Sequence, residues 1–316
     1  VAFVLGGVSL IFAMIGVATG AFDPSFLQAL PNRLFGIMNN QTLLAVPLFV
    51  FMGVMLEKSR VAEDLLESMS RLFGTLRGGL AISVCVVGAL LAASTGVVGA
   101  TVVTLGLLAL PTMLRRGYDP AVATGTLAAT GTLGQIIPPS IILVLLGDVL
   151  SSAYQQAQIR MGVFTPKTVS VGDLFIGALI PGVLLVCLYI AYLIFVAVTQ
   201  PKKLPALPQE ALGPIEWGRL FKALLPPLVL MGSVLGSILA GVATPTEAAS
   251  LGAIGALILG LLKGQLTLKR LREVSFSTAE ISSMVFLILI GASLFSLVFR
   301  GFGGDMMIEN VFAQLP

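Results

Sequence analysis

The chain has 316 residues, of which 57% are hydrophobic and 10% charged, with a formal charge of +3 and a mean hydropathy of +1.03. Soluble domains carry roughly 25% charge, so this composition excludes a soluble enzyme or nucleic-acid-binding domain and requires an integral membrane protein. There are no histidines and no metal-ligand spacing, which leaves metal enzymology without support, and the two cysteines, Cys85 and Cys187, lie in apolar runs and read as free core thiols.

The first apolar span covers residues 1–22 and the second 41–57. Runs of this kind have helix length rather than the short alternating pattern of barrel strands, and a long series of them is no signal peptide. Residues 58–77 are polar and amphipathic, with Leu65, Leu66, Met69, Leu72 and Phe73 on one stripe, and are expected to lie along the membrane surface as an arm. Residues 80–114 are apolar but interrupted at Ser94-Thr95-Gly96. Each arm is too short to cross comfortably, so the segment reads as a re-entrant hairpin with its tip at residues 94–99.

The next apolar run, 121–150, is interrupted by Gly131-Thr132-Leu133-Gly134-Gln135-Ile136-Ile137-Pro138-Pro139-Ser140. Two adjacent prolines remove two backbone donors and clash with the preceding turn. In lipid, freed backbone groups are tolerated where they are buried in protein or line a polar cavity. A broken helix at membrane depth is therefore a candidate binding site. A polar loop follows at 151–170, then a span at 171–198, a Pro-rich linker at 199–218, and spans at 221–242, 245–262 and 278–299.

With the hairpin entering and leaving on one side, Lys58, Arg60, Arg71, Arg77, Arg115, Arg116, Lys202, Lys203, Arg219, Lys222, Lys263, Lys269, Arg270 and Arg272 fall on a single face, taken as cytoplasmic. Arg33, Arg160, Lys167 and Arg300 fall outside it. In this topology the first span runs outward and 245–262 runs inward, as inverted repeats would. The expected fold is all-α: a polytopic membrane protein with a re-entrant hairpin and a broken transmembrane helix in an inverted-repeat architecture. Its expected segments are first spans and amphipathic arm (1–78), hairpin 79–114 with broken helix 120–150, connecting loop, span and linker (151–218), and an incomplete second repeat (219–316). The chain opens within an apolar run and stops before a second hairpin, so it is expected to be a fragment truncated at both ends.

The hairpin tip offers Ser94, Thr95, Gly96, Gly99 and Thr101, and the break offers Thr130, Gly131, Thr132, Gly134, Gln135, Pro138, Pro139 and Ser140. Hydroxyls and unwound carbonyls suit a hard cation such as sodium, and helix N-termini suit a carboxylate. Each interruption taken alone also fits close packing or a kink. Thr244-Pro245-Thr246-Glu247 reads as a helix start, with Thr244 as cap, Pro245 at the first position and Glu247 in the first turn. Asp148 lies near the outer end of the broken segment, and no chain of carboxylates suggests a proton relay. There is no Gly-x-Ser-x-Gly or phosphate-binding loop, so no enzyme is expected.

The series Ser94-Thr95-Gly96, Leu110-Pro111-Thr112-Met113, Arg116-Gly117-Tyr118, Gly131 to Ser140, and Gly241-Val242-Ala243-Thr244-Pro245-Thr246-Glu247-Ala248-Ala249 resembles the large membrane (permease) subunit of TRAP transporters, the DctM-like family, along essentially the whole chain. A second hairpin and a second Thr/Pro/Pro segment are absent. The resemblance implies a bacterial inner-membrane protein that works with a small four-helix membrane subunit and a periplasmic substrate-binding protein. It implies import of organic acids such as C4-dicarboxylates, coupled to sodium ions with no other cofactor, by an elevator movement, and it assigns the tip and the break to half of the ion and substrate region. A stand-alone ion-coupled anion carrier and a non-transporting membrane assembly subunit are the competing readings.

Overall fold

The structure, a computed structural model, describes residues 1–95, 98–206 and 216–314, without the side chains of 92–95 and 100. Among the described residues there are helices and no strand. In chain order they are α1 (Ala2–Thr19), α2 (Leu30–Met38), α3 (Ala45–Lys58), α4 (Val61–Phe73), α5 (Gly79–Thr95), α6 (Val98–Arg115), α7 (Pro120–Thr132), α8 (Ile141–Arg160), α9 (Val171–Thr199), α10 (Trp217–Leu239), α11 (Pro245–Leu262), α12 (Leu268–Gly301) and α13 (Gly304–Ala313). Short 3-10 turns cover Pro24–Ala29, Thr42–Leu44 and Leu133–Gln135. Among the described residues α1, α9, α10, α11 and α12 are each long and apolar enough to cross a membrane. The fold is all-α and polytopic.

Contacts divide the chain into two compact units, Val1–Leu43 with Ala279–Pro316, and Leu44–Thr278. This partition differs from the four sequence segments, which follow composition rather than contact. In the first unit α1 stops at Gly20, whose φ of 75° is left-handed and whose N–H turns back to Gly16 and Val17. Asp23 then accepts from the Ser25 N–H with Pro24 at the first helical position. Ala13, Phe22, Leu294 and Val298 form the core of this unit, with the Phe22 and Phe302 rings 5.1 Å apart.

The second unit holds the hairpin and the break. The Leu80 N–H meets the Tyr118 hydroxyl, and Gly88 packs beside Leu105, so α5 and α6 run antiparallel as one hairpin. Helix α7 lies along both arms: Gly88 abuts Thr130, and Gly131 abuts Val102. At both glycines a Cβ would overlap its neighbour, so these helices approach as closely as only glycine permits.

Several boundaries differ from expectation. The loop expected to begin at Ser151 begins ten residues later, because Ser151 to Arg160 contain neither Gly nor Pro and continue α8 until the left-handed Gly162. The Gln41 to Glu57 span resolves into a 3-10 turn and the 14-residue α3, about 21 Å long and short of a bilayer's ~30 Å. Residues 24–38, 268–277 and 304–313, left outside the expected spans, are helical.

The stripe of α4 buries Leu65, Leu66 and Met69 in protein, against α5 and α10, rather than laying them on a lipid surface. Leu72 and Phe73 are half-buried. Of the two thiols read as core residues, Cys85 is buried but Cys187 is exposed, on the outer side of α9. Composition could not separate these faces, because α9 is apolar all round.

Candidate functional site

The site is built from the basic end of the hairpin upward. The turn Arg116-Gly117-Tyr118-Asp119 closes two helices at once. Gly117 takes φ 78°, which reverses the chain. Tyr118 then turns inward, is 3% exposed, and its hydroxyl accepts the N–H of Leu80, one of the donors that the start of α5 leaves unpaired. Asp119 caps α7, accepting from Ala121 at 3.0 Å and Val122 at 3.1 Å, while its own N–H donates to the Lys203 carbonyl at 3.0 Å. Gly78 packs on Leu204 and Ala197.

Arg77, Arg115, Arg116, Lys202 and Lys203 therefore share one end of this unit. Ser83 donates to the Met69 carbonyl of α4 at 2.8 Å, and α4 carries an ionic network at the same end. There Asp64 pairs with Lys263 at 2.6 Å, and Glu67 pairs with Arg71 at 2.7 Å and Arg219 at 3.2 Å. The clustering of these cations is what a hairpin entering and leaving on one side requires; a crossing helix at 79–115 would separate Arg77 from Arg115.

From that end α5 and α7 rise together. The 3-10 turn Leu133–Gln135 packs against both α5 and α6, so the break sits against the distal part of the hairpin. Ile137 rests on Gly182 of α9. Gly182 lies roughly 17 Å along α9 from Val171 at helical rise. Gly78 is level with Ala197, and α5 climbs about 25 Å from there to Thr95. The end of the hairpin and the break thus reach similar depth, well inside the span.

Four helix ends gather at that depth: the C-termini of α5 and α7 present carbonyls, and the N-termini of α6 and α8 present N–H groups. Ser140, the residue before α8, does not cap it. Its fully buried hydroxyl donates to the Gln135 carbonyl at 2.7 Å and ties the break shut, leaving the first turn of α8 without a side-chain cap. The Pro138–Pro139 peptide is cis, and both prolines and Gly134 are buried. Thr132 is exposed and donates to the Ala129 carbonyl at 2.7 Å, and Gln135 is exposed. Thr130 is 1% exposed and its Oγ1 has no hydrogen-bond partner beyond the weak thiol of Cys85.

At the hairpin, Thr101 is buried on α6 and Gly99 is exposed. Ser94 and Thr95 close α5 with side chains outside the description, and Gly96 lies outside the described residues. Thr244, Pro245, Thr246 and Glu247 are not part of this cluster. They open α11, where the Thr244 hydroxyl accepts the Glu247 N–H at 3.3 Å and the Glu247 carboxylate accepts the Thr244 N–H at 2.7 Å, a reciprocal capping box.

Two features escaped the sequence reading. A cavity of about 100 Å³ lies beside the break toward the basic end, lined by Cys85, Thr126, Thr130, Tyr189 and Tyr192. Its lining draws on α5, α7 and α9, so no local motif announces it. Glu57, in the last turn of α3, accepts the Thr104 hydroxyl of α6 at 2.7 Å, tying a half-buried carboxylate to the hairpin. Its signal was a carboxylate closing an apolar run.

Comparison with known proteins gives the geometry its context. The chain is 33% identical over 276 residues to the C4-dicarboxylate TRAP transporter large permease protein DctM of Pseudomonas aeruginosa, covering 87% of this chain and 60% of that protein. It is 28% identical over 312 residues to the ectoine/5-hydroxyectoine TRAP transporter large permease protein UehC of Ruegeria pomeroyi, covering 96% and 65%. It is 27% identical over 302 residues to the isethionate TRAP transporter permease protein DctMQ of Oleidesulfovibrio alaskensis, covering 93% and 42%. The chain thus spans about 60% of the length of the first of these relatives. These relatives are transporter subunits, not enzymes. The family described as "Tripartite ATP-independent periplasmic transporter, DctM component" matches residues 1–316. A hairpin packed on a broken helix inside an all-α membrane protein, matched from end to end, belongs to the DctM family of TRAP transporter large subunits.

Proposed function

We propose that this chain forms part of the permease subunit of a binding-protein-dependent secondary transporter. That transporter imports small organic acids driven by an inward sodium gradient, together with a small membrane subunit and a periplasmic binding protein. The chain is a multi-pass protein of the inner membrane. The observation that carries the proposal is the meeting of the hairpin and the break at one depth, with carbonyl ends and N–H ends side by side. Carbonyl ends favour a cation and uncapped N–H ends favour a carboxylate, so one locus can hold coupling ion and substrate together.

The substrate is a small anion or zwitterion. The relatives are named for C4-dicarboxylates, ectoines and isethionate, which share an anionic group on a small body. An elevator movement is supported by the construction of the hairpin and α7 as one packed body joined through glycine contacts. The test is uptake into proteoliposomes holding the full-length protein and both partners. Uptake should require inward sodium, and Pro138→Ala with Pro139→Ala should depress it without lowering the amount of protein inserted. Uptake at full rate without sodium overturns the coupling; unchanged uptake in the double variant reduces the break to a packing kink.

A further inference from the structure

Outside the hairpin and the break, the strongest unassigned feature is a cavity of about 320 Å³ at the basic end, between α4, α10 and α11. Its volume is at the lower end of small-molecule sites. Its polar rim carries Arg219, Lys222 and Lys263 against one carboxylate, Asp64. Asp64 is engaged by Lys263, and Arg219 pairs with Glu67 at 3.2 Å. Lys222 has no ion pair or hydrogen bond among the described residues. The floor is apolar, formed by Ala223, Pro226, Leu259 and Leu262.

Two observations set the depth of this cavity. Trp217 and Phe221, one turn apart on α10, are both exposed with ring centroids 6.5 Å apart. An exposed tryptophan such as Trp217 marks the boundary between headgroups and hydrocarbon. The cations of the cavity also belong to the set that the charge asymmetry assigns to the cytoplasmic face. A cavity with a cationic rim and an apolar floor, opening at the headgroup level of the anionic leaflet, matches one kind of ligand: a phosphodiester headgroup with acyl chains attached.

We infer that this cavity binds an anionic phospholipid of the inner leaflet, with the phosphate at Lys222 and Arg219 and the chains against Pro226, Leu259 and Leu262. A neutral lipid would gain the floor but not the rim. A free phosphate would gain the rim but not the floor. Because the lipid would touch α4, α10 and α11 together, it would also brace the Asp64–Lys263 and Glu67–Arg219 pairs against solvent. The inference does not depend on the transport reading.

The experiment uses the full-length protein in detergent, with lipid adducts read by native mass spectrometry and thermal midpoints read in parallel. Phosphatidylglycerol, phosphatidylcholine and inorganic phosphate are the probes. Wild type should retain phosphatidylglycerol over phosphatidylcholine and gain thermal stability from it. Lys222→Gln removes one cation that holds no partner, and should weaken phosphatidylglycerol retention by roughly five-fold while leaving phosphatidylcholine unchanged. Lys222→Arg should restore it, and Leu259→Asn should weaken it through the floor. Equal retention of the two lipids by wild type, or unchanged retention in Lys222→Gln, overturns the inference. Stabilisation by inorganic phosphate equal to that by phosphatidylglycerol overturns the lipid assignment in favour of a free anion.

Discussion

Thr130 is the residue on which the break, the hairpin and the neighbouring cavity converge. Its hydroxyl is buried with no partner but the weak thiol of Cys85, and a buried hydroxyl short of a full hydrogen bond costs about 1–3 kcal/mol unless a stronger partner arrives. In the proposed mechanism the coupling ion is such a partner. Thr130→Val keeps the shape and removes the oxygen, so it should lower apparent sodium affinity in uptake by about ten-fold, the effect of one charge-assisted contact, while leaving thermal stability unchanged or improved. An unaltered sodium dependence would remove Thr130 from the site.

Tyr118 makes a different prediction. Burial, opposed by its bonds to the α5 backbone and by nearby Arg116, holds its phenol above the ordinary value of 10.0. The fold therefore favours the neutral form. Its contribution is intact below pH 10 and is lost as pH rises through the folded value. Tyr118→Phe should lower stability by about 1 kcal/mol at neutral pH and should flatten the loss of thermal midpoint above pH 10.

At the scale of elements, the hairpin and the break were legible because both violate what lipid demands of a continuous helix. The diproline rule alone would have misled elsewhere. Pro226 and Pro227 are adjacent too, yet α10 continues through them from Trp217 to Leu239. Pro138 and Pro139 differ in following Gly131 and Gly134, and in a serine whose hydroxyl binds the freed Gln135 carbonyl. The glycines also fix the packing. Gly131→Ala would drive a methyl into Val102 and should destabilise the protein by about 1–3 kcal/mol, with uptake falling further than protein level. If Gly131→Ala transports normally, α7 does not need its close approach to α6. Less legible were α2, α13 and the extension of α8. Their polar faces carry no apolar run, and their signals are caps and glycine stops rather than hydropathy.

For the whole molecule, the grouping of basic residues was readable from charge asymmetry, and the contacts among Gly78, Tyr118, Lys203 and Leu204 supply its mechanical reason. The two contact units were not readable, because residues 1–43 and 279–316 are far apart in sequence and meet through Phe22, Leu294 and Val298. Topology has a direct check. In a background lacking Cys85 and Cys187, cysteines placed at Arg77 and Arg116 should both react with a membrane-impermeant thiol reagent from the cytoplasmic side, and one at Lys167 from the opposite side. Opposite labelling of positions 77 and 116 would convert the hairpin into a crossing helix.

The turn at Tyr118 and Asp119 holds the lower ends of two rods whose upper ends meet at the candidate site. A rod of 17 residues is about 25 Å long, so a tilt of only 5° at its base swings its far end by about 2 Å. Geometric errors near 1 Å at a reacting or binding centre already cost orders of magnitude. The precision of the proposed ion site is therefore set by an angular tolerance at the water's edge. Conditions that act on that surface alone, such as pH, salt or a bound partner, gain leverage over a locus they never touch.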